Sequence, residues 1–236
     1  MKVIGISGKM GCGKNYIAEK IIGQLLNDLG YNISFLAFAD LLKYEIGSRI
    51  ENINNIEEIQ NKMDKNYYNL FVEKDSNTRN ILQKYGTENG REAKNKKIED
   101  ITLYYDENIW IKGLYLMMKN IYEKVYNKQK HIFIITDVRF INEADFIKSL
   151  NGKIIRVNAI NRNINRINQE VQKYLITHQD NKENIDINNI KNKLSSHKSE
   201  TELDNYNFDF ILNNDSDYIN SDFDLIINNI ITSIIY

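Results

Sequence analysis

The residues best suited to chemistry lie near the start of the chain, in GISGKMGCGKNY, residues Gly5 to Tyr16. Gly8, Gly13 and Lys14 follow the phosphate-cradling pattern G-x-x-x-x-G-K-[ST] up to its last position, where Asn15 stands in place of a hydroxyl residue. Gly8, Gly11 and Gly13 let the backbone turn tightly, so that successive N–H groups point inward at an anion, and a following helix would add its positive N-terminal end. Candidate nucleotide contacts are therefore Gly8, Met10, Gly11, Cys12, Gly13, Lys14, Asn15 and Tyr16, with Lys14 reaching for the outer phosphates. The alternative is a purely structural glycine turn. Asn15 also raises the question of the metal. An Asn carbonyl can ligate Mg²⁺ directly or through water, but it is a neutral and longer arm than a serine hydroxyl, so metal holding should shift toward another group.

A second set supplies that group. The run HIFIITDVRF, His131 to Phe140, has the form of a hydrophobic strand ending in the carboxylate of Asp137, which could share Mg²⁺ with Asn15 or simply cap the next turn. Arg139 follows two residues later. A guanidinium can clamp a phosphate bidentately, which a lysine cannot do with the same geometry; the competing use is a surface ion pair with Glu143, one helical turn on.

Positioning these residues requires alternating strands and helices. Lys2 to Ser7 reads as a buried strand, followed by the glycine loop and by Ile17, Ala18, Ile21, Ile22, Leu25 and Leu26 at helical spacing, with Gly30 as the stop. Asn32 to Ala39 gives a second strand that runs into a helix over Leu41 to Ile50. A helical pattern from Ile109 to Tyr126 precedes the third strand, His131 to Thr136; Gly152 to Asn158 and Phe208 to Leu212 supply two more. Nearly continuous apolar strands separated by helices indicate an α/β fold with a five-stranded parallel sheet covered on both faces, a three-layer α/β/α arrangement. Such sheets bind ligands at the carboxyl ends of their strands, where the glycine loop, Asp40, Asp137 and Arg139 all fall. The expected layout is one domain: a core over residues 1–50, 108–160 and 208–236, interrupted by excursions at 51–107 and 161–207.

Composition narrows the classes. With 31 basic and 32 acidic side chains the formal net charge is −1, so no global positive field gathers nucleic acid or an anionic membrane. The single cysteine, Cys12, excludes an intramolecular disulfide and suits a reducing compartment; with three histidines it makes a structural zinc site a poor fit. The apolar tail FDLIINNIITSIIY, Phe223 to Tyr236, is short for a membrane span and interrupted by Asn228 and Asn229, so it reads as a core or partner-facing helix. The expectation is a cytoplasmic protein. Asn- and Ile-rich patches at Glu51 to Ile59 and Asn184 to Lys193 carry no assigned role, and the second reads as a loop.

The strings GKMGCGKN, FLAFADLLK, RNILQKYGTENGRE followed by Trp110, TDVRFINEADFIKSLNGKIIRV and HKSETELDNYNFDFILNND, in that order, resemble the deoxynucleoside monophosphate kinases of phages and large DNA viruses, a family with the P-loop kinase fold. The resemblance covers most of the chain, from Val3 to about Asp217. Family members often carry Asp after the loop lysine, so Asn15 looks like a one-step variant of a tolerated departure.

The resemblance implies transfer of the γ-phosphoryl group of ATP, with Mg²⁺, to a deoxynucleoside 5′-monophosphate. Lys14, Asp137, Arg139, Arg162 and Arg166 would be the catalytic set, the last two carried by a lid over 161–207. The acceptor would be held by Asp40, Arg79, Gln83, Gly86, Thr87, Arg91, Trp110 and Arg139, with Arg79 and Arg91 on its phosphate and Gln83 on its base, in a helical insert over 51–107. Arg79 and Gln83, four residues apart, share one face of a helix. Plain alternatives stay open: solvated helix residues for Arg79, Gln83 and Arg91, core packing for Trp110, and exposed charges for Arg162 and Arg166. The turn Asn213-Asn214-Asp215 sits where such kinases hold adenine, while His197, Ser199 and Glu200 match a family string without a physical role. The implied partner is a small nucleotide monophosphate, not nucleic acid or membrane, with a homodimer left open and the host cytoplasm as the location if the source is viral. Other readings are a dephospho-coenzyme A kinase, a phosphomevalonate kinase, or an ATP-binding sensor without turnover.

Overall fold

A computed structural model describes residues 1–43, 82–84, 86–87, 96–98, 101–103, 107–177, 186–215 and 221–235. Arg79 and Arg91, most of the 51–107 excursion and the remainder of the helix expected over Leu41 to Ile50 lie outside them.

The chain divides into two compact units, Met1–Leu36 with Tyr122–Tyr236, and Ala37–Ile121. In the first unit, strand β1 (Lys2–Ser7) leads through the glycine loop into helix α1, which is built from Lys14–Tyr16, a wider-wound stretch Ile17–Gly23, and Gln24–Asp28. Strand β2 (Asn32–Leu36) follows. The second unit contributes the short strands β3 (Lys96–Ile98) and β4 (Ile101–Leu103), and helix α2 (Ile109–Lys124) begins in it and ends in the first unit. The chain then continues through β5 (His131–Val138), α3 (Ile141–Ser149), β6 (Lys153–Asn158), α4 (Ile160–Thr177), α5 (Ile187–Ser195), α6 (Lys198–Thr201), β7 (Phe210–Asn213) and α7 (Ser221–Ile235).

The main sheet has five strands in the order β2-β5-β1-β6-β7, and every pairing is parallel. These are the five strands read from the sequence, with ends displaced by a few residues. Alternation along each strand sorts the core. Ile4 and Ile6 of β1, Ile132 and Ile134 of β5, and Ile155 and Val157 of β6 pack with Ile17, Ala18, Ile22 and Leu26 of α1 and Phe223, Ile227, Ile230 and Ile231 of α7 in one dry layer. On the opposite face, an added methyl at Gly5 would come within 2.6 Å of the Ile147 side chain, which shows how closely α3 lies against β1.

Helix α7 settles the reading of the apolar tail. Phe223, Ile227, Ile230 and Ile231 recur at helical spacing on the buried face, while Asn228 and Asn229 fall on the exposed one. Among the described residues no helix is long and apolar enough to cross a membrane. The loop expected over the second Asn-rich patch needs correction, because most of it is helix α5. Asp186 accepts a bond from Asn188 N at 3.0 Å at its start, and Ile187, Ile190 and Leu194 repeat at helical spacing among the asparagines.

In the second unit, β3 and β4 pair antiparallel. Trp110 is buried and donates its indole N–H to the carbonyl of Gly86 at 2.9 Å, and Leu42 lies against Gly86.

Candidate functional site: a phosphate-type loop at the strand ends

The loop between β1 and α1 takes its shape from two glycines. Gly11 and Gly13 have φ values of 81° and 83°, left-handed conformations that side-chain-bearing residues adopt only under strain. A Cβ on Gly13 would also sit 2.5 Å from the Asn214 amide, so that side chain would have to shift to admit it. The carbonyl of Gly13 accepts Ile17 N at 3.0 Å, so the first helical turn closes directly behind the loop. Lys14 opens α1 and Asn15 follows it in an exposed position.

Neighbouring segments hold this loop from several sides. The Asn214 amide donates to the carbonyl of Cys12 at 2.9 Å, and the Asn163 amide donates to the carbonyl of Met10. Lys9 pairs with Asp204 at 2.8 Å, and Arg156 bridges Asp204 at 3.0 Å to the Ser7 hydroxyl at 3.1 Å. Helix α4 lies over the loop, where a Cβ built on Gly11 would meet the stem of Arg166 at 3.1 Å and one on Gly13 would lie 3.7 Å from Arg162 Nη1. The head of Arg166 turns instead to Glu170, at 2.9 Å. Asp215 satisfies the start of α4, accepting from the N–H groups of Ile160 at 2.8 Å and Asn161 at 2.9 Å.

Strand β5 extends beyond the expected end at Thr136, so Asp137 lies within it and Arg139 follows at once. The β1–β5 register slips here. Gly5 pairs with Ile135 and Ser7 with Val138, so β5 carries one extra residue around Thr136 and Asp137. An irregularity of this kind re-aims side chains at a strand end.

Electrostatics tie these groups together. Burial and the neighbouring Arg139 guanidinium hold the Lys14 ammonium below its ordinary pKa, against the opposing pull of Cys12, Glu200 and Asp137. Burial works against the charge on Arg139 as well, but Glu200, by charge and by hydrogen bond, outweighs it and raises the guanidinium's pKa, with Asp137 and Glu143 adding to the effect. The same pair acts on Glu200, where burial would raise the carboxyl; the Arg139 charge and the Met10 N–H, bound at 2.8 Å, bring it below the usual range.

Glu200 is the residue that sequence reasoning left without a role. Its Oε2 accepts the loop N–H of Met10, and its Oε1 pairs with Arg139 Nη1, which also donates to the carbonyl of Ser199 at 3.3 Å. The ion pair allowed between Arg139 and Glu143 therefore needs revising. Arg139 pairs with Glu200, and Glu143 receives the backbone N–H groups of Arg139 at 2.8 Å and Phe140 at 3.2 Å, closing the turn into α3. Asn163 and Asn214 were likewise not recognised as supports of the loop. The match of His197, Ser199 and Glu200 to a family string was the available signal, and it carries no role by itself because the Arg139 partner of Glu200 lies 61 positions away.

The remaining candidates fall in the second unit. Asp40 accepts Ala37 N at 2.7 Å and pairs with Lys43 at 2.9 Å, Gln83 is half-buried on a helical segment, and Thr87 is buried beside the Gly86 carbonyl that holds Trp110. In geometry, then, Lys14, Asp137, Arg139 and Arg162 gather around the glycine loop, Arg166 contributes its stem, and Asp40, Gln83, Gly86, Thr87 and Trp110 belong to the other unit. No protein-family model matches the chain, and no curated protein matches its sequence.

Proposed function

We propose that the protein is a P-loop kinase that transfers the γ-phosphoryl group of ATP to the 5′-phosphate of a deoxynucleoside monophosphate. One observation carries this reading: the left-handed glycine loop between β1 and α1 lies within electrostatic reach of a lysine and an arginine, Lys14 and Arg139, and of the carboxylate of Asp137. Phosphoryl transfer asks little covalent chemistry of a protein and much positioning of negative charge. Backbone amides would hold the polyphosphate and Lys14 its outer oxygens. Arg139 would draw together two anions that repel each other.

Magnesium fits the donors present. Asn15 opens onto solvent behind Lys14, Asp137 stands at the irregular end of β5, and both offer the oxygen ligands that Mg²⁺ prefers. The cation would be held jointly by these few protein oxygens and the substrate phosphates. The metal would supply charge neutralisation across the phosphates.

The deoxynucleotide acceptor rests on the family resemblance of the strings around Asp40, Gln83 and Arg139. A coupled ADP-release assay across deoxynucleoside monophosphates, ribonucleoside monophosphates and dephospho-coenzyme A tests it. Release stimulated by deoxynucleoside monophosphates is expected; release with another acceptor alone would reassign the substrate, and ATP binding without any acceptor-dependent release would favour a sensor.

A further inference from the structure

We propose that Glu200 is a positioning residue for phosphoryl transfer, fixing the orientation of Arg139 relative to the glycine loop. The inference deepens the kinase reading and rests on it. Arg139 Nη1 carries two N–H groups, and two acceptors meet that nitrogen, Glu200 Oε1 and the Ser199 carbonyl at 3.3 Å. Both of these side-chain bonds use Nη1, and among the described residues none involves Nε or Nη2, the pair of nitrogens that can grip two phosphate oxygens. The second oxygen of Glu200 binds Met10 N in the loop at 2.8 Å. One buried carboxylate thus connects the loop that would hold the donor's polyphosphate to the arginine that would bridge donor and acceptor.

The segment that carries Glu200 is itself fastened. His197 accepts Ser199 N at 3.2 Å at the start of α6, Glu202 accepts Ile141 N at 2.8 Å, and Asp204 binds Lys9 and Arg156. Three acidic side chains at alternate positions strap this stretch across the carboxyl ends of the parallel strands, and Glu200 alone of the three meets Arg139. Removing its charge would leave loop and arginine in place but let the guanidinium rotate. Such a change weakens the transition state more than the ground state.

The experiment compares wild type, Glu200→Gln, Glu200→Ala and Glu202→Ala by steady-state kinetics, calorimetric ATP binding and thermal melting. For Glu200→Ala, kcat is expected to fall about 10- to 100-fold while ATP binding stays within about threefold or tightens, because a negative charge has left the site. Glu200→Gln keeps the side chain's length and one of its two acceptor oxygens, so it can serve either Arg139 or Met10 N but not both. It should fall between Glu200→Ala and wild type, whereas Glu202→Ala, which loosens the strap without touching Arg139, should retain kcat within about threefold. Unchanged kcat in Glu200→Ala overturns the inference, as does a parallel loss of kcat and ATP affinity, or an equal loss in Glu202→Ala. A wild-type protein that turns over no phosphate acceptor overturns the kinase reading and this inference together; turnover matched by Glu200→Ala overturns this inference alone.

Discussion

Two carboxylates nine residues apart, Glu200 and Asp209, are both held below the usual carboxylate range, and their surroundings separate a structural charge cluster from a candidate site. Around Asp209, burial is outweighed by Lys148, whose ammonium meets both carboxylate oxygens at 2.6 and 2.5 Å, and by Ile154 N at 2.8 Å. That cluster is finished. It ties α3 to the start of β6 and leaves nothing reaching outward. Around Glu200 the carboxylate is equally well bound and settles Arg139, but not the second cation it faces: Lys14 stays below its ordinary pKa through burial and the Arg139 charge. Such a lysine favours an arriving anion, and the glycine amides beside it supply donors for one. A depressed carboxylate is therefore weak evidence of function; a depressed lysine beside a left-handed glycine loop is stronger.

Substitutions should break the two clusters in opposite ways. The largest expected effect is Lys14→Ala, which should reduce kcat by about 10³-fold or more with melting temperature nearly unchanged, since the side chain serves charge positioning and not the core. Turnover near wild type would remove the loop from the mechanism. Arg139→Lys comes next, with kcat lower by about 10²-fold, because an ammonium lacks the planar fork that can meet Glu200 with one nitrogen and grip two phosphate oxygens along the other edge. A variant that only melted earlier would make Arg139 a structural partner of Glu200. At the other cluster, Asp209→Asn should leave kcat alone and cost about 1–3 kcal/mol of stability, measured by denaturant unfolding, because Lys148 loses its counter-charge.

The smallest effect is a pH dependence remote from both clusters. His131 is buried with neither ring nitrogen hydrogen-bonded among the described residues, its ring edge-on to Phe133 at 4.7 Å, and burial lowers its pKa from 6.5. The folded state therefore resists protonation more than the unfolded chain does. Stability should be full above about pH 6.5 and decline as pH falls from there toward the lowered folded value, and His131→Phe should flatten that part of the profile. An unchanged profile in the variant would assign the acid sensitivity to other groups.

Much of the fold could be read from the chain because its signals are local. Continuous apolar runs such as HIFIIT reveal a buried parallel strand, and Phe223, Ile227, Ile230 and Ile231 reveal a helix by spacing alone. The register slip near Asp137 was not legible, since it depends on how Ser7 and Val138 align across two strands. In the site, the glycine loop, Lys14 and Arg139 were recognisable by residue type. Their supports were not, because Glu200, Asn163 and Asn214 act through partners far along the chain, and an isolated Glu or Asn announces nothing. Helix α5 escaped notice for another reason: its apolar residues Ile187, Ile190 and Leu194 are diluted by asparagines that favour turns in isolation.

The most direct test of the central claim, that the loop from Gly8 to Asn15 receives a triphosphate beside Arg139, is calorimetric titration of ATP with magnesium into wild type and Lys14→Ala. Saturable one-to-one binding to wild type, weakened about 10-fold or more by the substitution, is the predicted result. No binding to wild type, or equal binding to both proteins, would contradict it.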